Sequence, residues 1–205
     1  MKNDWPFALL QPHRYKVILA DPPWRYQNYA SEGVPQTTET QHYPTLSLDE
    51  LKALPVKSLA AQDCALLLWS TSALTDQAFE LAAHWGFQFK GKAFAWSKLN
   101  PFWDKPEVDP RKMRKVQDDA HWMIGMGRST RKNTEDCWLF TRGAPKRKDA
   151  GVRELIVSAI REHSRKPTEQ YERIRRLYGD VPRCELFSRT AQDGFDAWGN
   201  DVGKF

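Results

Sequence analysis

The sequence predicts an α/β fold built on a mostly parallel sheet with helices on both faces. Three observations carry that expectation. Short apolar runs recur along the chain, helical patterns separate several of them, and the runs hold aliphatic or aromatic residues on successive positions. Parallel neighbours need crossover connections, and strands covered on both faces read as continuous apolar stretches. The runs are Val17–Ala20, Ala65–Trp69, Phe87–Trp96, Cys137–Thr141, Leu155–Val157 and Cys184–Phe187, and each reads as a buried strand.

The helices follow from their end signals. Ser47-Leu48-Asp49-Glu50 has capping-box spacing ahead of Leu51 and Leu54, and Pro55 limits that helix. Thr75 is placed to cap a segment that sets Ala78, Phe79, Ala82 and Trp85 on one face, and Gly86 stops it. Thr168 follows Pro167 and opens a third segment with a Tyr171, Ile174 and Leu177 stripe, closed by Gly179.

Composition bounds the function. A chain of 205 residues with 40% hydrophobic content, nine Trp and ten Phe builds a substantial core, and residues 1–205 are expected to form one domain, with 1–14 as an amino-terminal extension. The net charge of +5, from 31 basic and 26 acidic residues, favours acidic partners such as nucleic acid without settling the matter. Cys64, Cys137 and Cys184 are odd in number and far apart, as expected of buried thiols in a reducing cytoplasm. The five histidines show neither i,i+4 pairing nor a nearby cysteine, so no metal site is expected. Phe7–Leu10 is too short for the apolar region of a signal peptide, and no run approaches the roughly 20 residues that cross a bilayer. The expectation is a soluble cytoplasmic protein with no membrane contact.

Two stretches lack periodicity, Tyr26–Thr45 and Lys98–Asp119. Long irregular loops in compact domains are commonly functional. The second, taken as 98–120, holds Arg111, Lys112, Arg114 and Lys115 and is a candidate substrate loop, although such a run also fits a solvated face. Arg128, Arg131, Lys132, Lys146, Arg147 and Lys148 would extend a phosphate-binding surface if they share one face with it.

The feature with most chemistry is Asp21-Pro22-Pro23-Trp24, directly after the first strand. Proline fixes φ, lacks an amide hydrogen and pushes its predecessor towards extended geometry, so Asp21 and Pro22 are both held out of helix. Ligands of such sheets sit beyond the carboxyl ends of strands, where Asp21 stands. An exocyclic amine has two hydrogens, which the Asp21 carboxylate and the Pro22 carbonyl can accept, while Trp24 offers a face for stacking a flat base. Tyr26, Tyr29 and Tyr43 are further stacking candidates, with His42 beside them. The same tetrapeptide also suits a plain turn with a core Trp.

Other segments complete a pattern: His42-Tyr43-Pro44-Thr45, Leu68-Trp69-Ser70-Thr71, Gly125-x-Gly127 followed by Thr130-Arg131 and Glu135, Ser164-Arg165-Lys166-Pro167, Glu185-Leu186-Phe187-Ser188-Arg189, and Trp198-Gly199-Asn200. Together and in this order they resemble the DPPW-type N6-adenine methyltransferase family, which includes the enzymes that methylate adenosine in messenger RNA. The likeness runs from about Tyr15 to Val202 and is nearest the short bacterial and phage branch. It implies a Rossmann-like class I methyltransferase fold with circularly permuted motif order, S-adenosylmethionine as cofactor, and adenine in DNA as substrate. RNA, or a catalytically inactive nucleic-acid-binding partner subunit, is the alternative, and a homodimer or a heteromeric partner stays open.

Residue by residue, the resemblance assigns Asp21, Pro22, Pro23 and Trp24 to catalysis and Asp21, Lys166, Glu185, Phe187, Arg189, Asn200 and Asp201 to the cofactor. Substrate contact falls to Tyr26, Tyr29, His42, Tyr43, Arg111, Lys112, Arg114, Lys115 and Arg131. Lys166 matches a lysine associated with the cofactor's methionine carboxylate. A cation ahead of a helix amino end is electrostatically odd, and an anion would resolve the conflict. Glu185 is either a contact to cofactor or base or a structural carboxylate, and Asn200 otherwise suits a turn. The chain departs from the branch in having Phe195 for Trp and Asp201 for Glu, and in lacking an aromatic just before Thr130-Arg131.

Overall fold

The computed structural model describes residues 5–25, 44–101, 121–125, 127, 129–162, 164–200 and 202. Among the described residues seven strands are present: β1 Tyr15–Ala20, β2 Ala60–Ser70, β3 Gln88–Leu99, β4 Thr134–Arg142, β5 Leu155–Ala159, β6 Arg183–Leu186 and β7 Asp196–Trp198. The helices are α1 Leu48–Lys52, α2 Thr75–His84 and α3 Glu169–Tyr178. The strand order is β5-β3-β4-β2-β1-β6-β7, and the pairings β1–β2, β1–β6, β6–β7 and β3–β5 are parallel. The chain divides into two compact units, 1–91 with 138–146 and 180–205, and 92–137 with 147–179.

In the first unit, Ile18 and Ala20 of β1, Leu66 and Leu68 of β2, and Cys184 and Leu186 of β6 share a core with Leu51 of α1, Ala78, Leu81 and Ala82 of α2, and Trp85 just after α2. The alternate residues Val17, Leu19, Ala65, Leu67 and Trp69 are buried as well, so both faces of β1 and β2 are covered, as their unbroken apolar runs require. Full burial of each such leucine contributes about 2 kcal/mol. The Trp85 indole donates to Leu51 O at 3.1 Å and ties α2 to α1.

Local signals account for most of the boundaries. Ser47 and Glu50 form the expected capping box. Thr75 is not a cap: it is the first residue of α2, and its hydroxyl reaches back to Thr71 O and Ser72 O. Gly179, at φ +72°, closes α3 by donating its N–H to Arg175 O. The buried stripe of α3 runs through Tyr171, Ile174 and Tyr178, with Tyr178 where Leu177 was expected. All three cysteines are buried, and none is joined in a disulfide. Among the described residues no helix is long and apolar enough to cross a membrane, and no cluster of metal-ligating side chains occurs.

In the second unit β5 ends the strand order. Its Glu154 carbonyl accepts from Ala95 of β3, so the carbonyls of Arg153 and Leu155 face away from the sheet. Arg173 of α3 donates to both, at 2.7 and 2.8 Å.

Gly143 follows β4 at φ +63°, and a Cβ there would lie 2.3 Å from Asp63 Oδ1 and 2.5 Å from Gln62 O. Gly143→Ala is therefore expected to destabilise the protein by about 1–3 kcal/mol. A denaturant midpoint equal to that of the unaltered protein would refute this account of the turn.

Candidate methyl-transfer site

The site begins with register. Ala20 is the Cα partner of both Leu68 and Leu186, and Leu186 is the partner of Trp198. The four strands of this row are consecutive neighbours with parallel pairings, so the residues that follow the row leave at one edge. Trp69-Ser70 comes from β2, Asp21-Pro22 from β1, Phe187-Ser188 from β6 and Gly199-Asn200 from β7. The β1-to-β2 crossover runs to one side and β6-to-β7 to the other, which makes the β1/β6 boundary a topological switch point, the usual seat of a ligand.

The Asp-Pro-Pro-Trp turn is braced from two directions. Leu46 N donates to Pro23 O at 2.8 Å and Arg25 N to Leu46 O at 3.0 Å, while the Trp24 indole donates to Trp69 O at 3.2 Å. Trp24, expected to offer a stacking face, is instead 7% exposed and belongs to the core. An indole with its N–H satisfied by the end of β2 and its ring in apolar packing serves to hold the turn. Pro22 is buried and Asp21 is half-buried. The Pro22 carbonyl accepts Trp24 N at 2.8 Å, and a carbonyl has a second lone pair able to accept another donor. At the end of β2, Ser70 Oγ accepts the Trp138 indole N–H at 3.0 Å. That pairing was not foreseen, although Ser70 lies in a quoted motif.

The β6–β7 end is strained and tightly packed. Phe187 has φ +62°, a region that a bulky residue adopts only where its surroundings enforce it and that clusters at ligand sites. Its ring meets Trp198 edge-on at 5.4 Å. Glu185 is 8% exposed. Ser188 Oγ lies 3.2 Å from Glu185 Oε2 and 2.6 Å from Thr190 O, its single proton serving one at a time. Ser188 N donates to Trp198 O at 2.9 Å. A Cβ on Gly199 would sit 2.3 Å from Ser188 O, so glycine is what lets the Trp198–Asn200 segment lie against residue 188. Arg189 is half-buried and Asn200 exposed.

Lys166, in the second unit, meets its anion inside the protein. Glu135 Oε1 lies 3.0 Å from Lys166 Nζ, and Glu135 Oε2 lies 2.7 Å from Lys98 Nζ. Both ammonium groups are largely buried, and Lys98 also sits 4.8 Å from the centre of the Trp96 ring. Burial works to raise the Glu135 pKa, but the charges of Lys166 and Lys98 and their hydrogen bonds outweigh it and hold it at about 2, against 4.5 for an ordinary glutamate. Ser164, two residues before Lys166, has φ +65°. Ser158 is the Cα partner of Lys98, and its buried hydroxyl has no hydrogen-bond partner among the described residues. Two ammonium groups on one carboxylate, with an idle hydroxyl in the neighbouring strand position, fit a further carboxylate ligand. Lys98 was missed as a site residue because nothing in its local spacing marks it.

Arg131 is exposed beside the Gly125–Lys132 bridge. Tyr26, Tyr29, His42, Tyr43, Arg111, Lys112, Arg114, Lys115 and Asp201 lie outside the described residues.

Because the folded Glu135 carboxyl titrates below the unfolded one, its contribution to stability is complete above about pH 4.5 and is lost as pH falls towards about 2. Glu135→Gln leaves two largely buried ammonium groups without a counter-charge and is expected to cost about 3–5 kcal/mol at neutral pH. It should also flatten the stability profile between pH 4.5 and 2. Denaturant melts of both proteins at pH 7 and pH 3 check this, and an equal acid-induced loss in the two would contradict it.

Comparison with known proteins agrees with this geometry. The MT-A70 family model matches residues 15–201. The Type II methyltransferase M.MunI of Mycoplasma sp. is 30% identical over 217 aligned residues, covering 97% of this chain and 82% of its own length. The N(6)-adenine-specific methyltransferase METTL4 of Mus musculus is 26% identical, over 93% of this chain and 38% of its own. The N(6)-adenosine-methyltransferase catalytic subunit METTL3 of Homo sapiens is also 26% identical, over 92% of this chain and 28% of its own. A match across nearly the whole chain, with the Asp-Pro-Pro-Trp turn at the carboxyl edge of a parallel sheet, means that this protein belongs to the MT-A70 family.

Proposed function

We propose that this protein is an S-adenosylmethionine-dependent methyltransferase acting on the exocyclic N6 amine of adenine in DNA. The observation that carries the reading is the placement of Asp21 and the Pro22 carbonyl at the switch point, directly beside the strained β6–β7 end. S-adenosylmethionine, when bound, supplies an electrophilic methyl group on its sulfonium. Phe187, Arg189, Asn200 and Asp201 are proposed to hold its adenosine end and Lys166 its carboxylate, with Glu185 fixing the wall through Ser188.

The work of Asp21 and Pro22 is positioning. The lone pair of an adenine amine is delocalised into the ring, and two acceptors on its hydrogens favour a pyramidal, more nucleophilic nitrogen. The same acceptors stabilise the positive charge that develops there, so Asp21 need not deprotonate the neutral amine beforehand. Trp24 and Trp69 keep both acceptors in place. In duplex DNA the amine is hidden in a base pair, and flipping the adenine out costs a few kcal/mol. Tyr26, Tyr29 and Tyr43 are proposed to stack the extruded base, and Arg111, Lys112, Arg114, Lys115 and Arg131 to contact phosphates. Residues 1–205 are proposed to act as one methyltransferase domain in the cytoplasm. The similarity to a Type II methyltransferase favours DNA, and the adenosine-methyltransferase relatives supply RNA as the second reading.

Incubation with cofactor and mixed DNA and RNA, followed by nucleoside mass spectrometry, tests the function, and the absence of methylated adenine from both would refute it. Asp21→Ala is expected to abolish transfer while leaving cofactor affinity largely intact, since its contact matters most in the transition state. Near-normal turnover by that variant would remove Asp21 from its role. Lys166→Ala should weaken cofactor binding, and calorimetry showing unchanged affinity would free Lys166 from the site.

A further inference from the structure

We propose that the amino-terminal segment Trp5–Leu10 is a positioning element for the cofactor wall, acting through Trp198. The inference rests on the assignment of S-adenosylmethionine to the β6–β7 end. Residues 1–14 read from sequence as an extension, yet this segment is built like part of a core. Leu10 N donates to Phe7 O at 3.0 Å and the Trp5 indole donates to Leu10 O at 2.7 Å. Phe7 is completely buried, and Ala8 takes φ +48° to close the turn.

Four rings then form an edge-to-face series that ends at the site. Trp5 meets Phe7 at 5.3 Å, Phe7 meets Trp198 at 5.0 Å, and Trp198 meets Phe187 at 5.4 Å, with interplanar angles of 74°, 76° and 69°. The Trp198 indole also donates to Pro6 O at 2.9 Å. Its ring is thus gripped by the amino-terminal segment at one contact and supports Phe187 at another.

The backbone of Trp198 completes the coupling. Its carbonyl accepts Ser188 N, and the next residue, Gly199, lies so close to Ser188 that no Cβ fits. Asn200 follows at once. Phe187 keeps its left-handed backbone only while its surroundings enforce it, and the Trp198 ring packs edge-on against its own. Loosening the Phe7 or Pro6 contact therefore loosens both the Phe187 turn and the presentation of Asn200. Trp5, Phe7 and the Trp198 ring act through these residues, without touching cofactor.

The test uses the full chain carrying Phe7→Ala or Trp198→Phe, the second keeping an aromatic ring while losing the indole bond to Pro6 and part of the ring's contact area. Val56→Ala, in the turn after α1, is the control for general loss of core packing. Calorimetry should show affinity for S-adenosylmethionine about tenfold weaker in Phe7→Ala and weakened in the same direction in Trp198→Phe. KM for the cofactor should rise while kcat at saturating cofactor stays within about twofold and KM for the oligonucleotide holds. Val56→Ala should lower the melting temperature with unchanged cofactor affinity. If Trp198→Phe and any folded Phe7→Ala bind the cofactor as tightly as Val56→Ala does, the inference is overturned. If the unaltered chain binds no S-adenosylmethionine, the functional reading fails first and this inference falls with it.

Discussion

Backbone register is the constraint on which the rest depends. Parallel strands whose last paired residues are Leu68, Ala20, Leu186 and Trp198 must release the chain along one line. Segments far apart in sequence then leave the sheet side by side. A one-residue slip of β1 would turn the side chains of the first strand to the opposite faces, taking Ile18 and Ala20 out of the core they share with α1 and α2 and displacing Asp21 from the switch point. Apolar packing of β1, β2 and β6 against α1 and α2 therefore does more than stabilise: it fixes where the carboxylate emerges.

Around that edge the described residues hold the backbone rigid. Two prolines limit the backbone at Asp21, Trp24 and Trp69 anchor the turn, and Phe187 stays in a sparsely populated conformation among close neighbours. A weakly basic amine that reacts by displacement gains from such fixed alignment. Away from that edge, the Glu135 carboxyl has its proton affinity lowered by two ammonium groups, and it keeps those groups charged and fixed.

How much of this was legible in the sequence varies with the range of the signal. The apolar runs marked six strands, and the Ser47–Glu50 spacing marked a capping box that the structure contains. β7 was missed because Asp196-Ala197-Trp198 is too short to show any period. The first residues of β2 were missed because Gln62 and Asp63 interrupt the apolar pattern there. Thr75 carried a cap residue's chemistry, but the chain already turns at Ser72–Leu74 before α2 starts. The sequence left Trp24 as either a stacking face or a core residue, and the structure buries it: an aromatic beside the acceptors is visible in sequence, but only tertiary packing decides whether its face is covered. The Lys98–Glu135–Lys166 group lies beyond local reading altogether, since its three members come from distant segments. Lys166 ahead of its helix still announced the need for an anion, which Glu135 meets.

Arg173 has a consequence for the open border of the sheet. An outermost strand carries a row of unused acceptors and donors, and such a row is a template on which other chains polymerise. At the start of β5 two such acceptors, the carbonyl of Arg153 just before the strand and that of Leu155 within it, are already engaged by a guanidinium. An incoming strand would have to evict a cation before it could form its first bonds, which guards a protein with Leu155 and Val157 half open to water against templated aggregation.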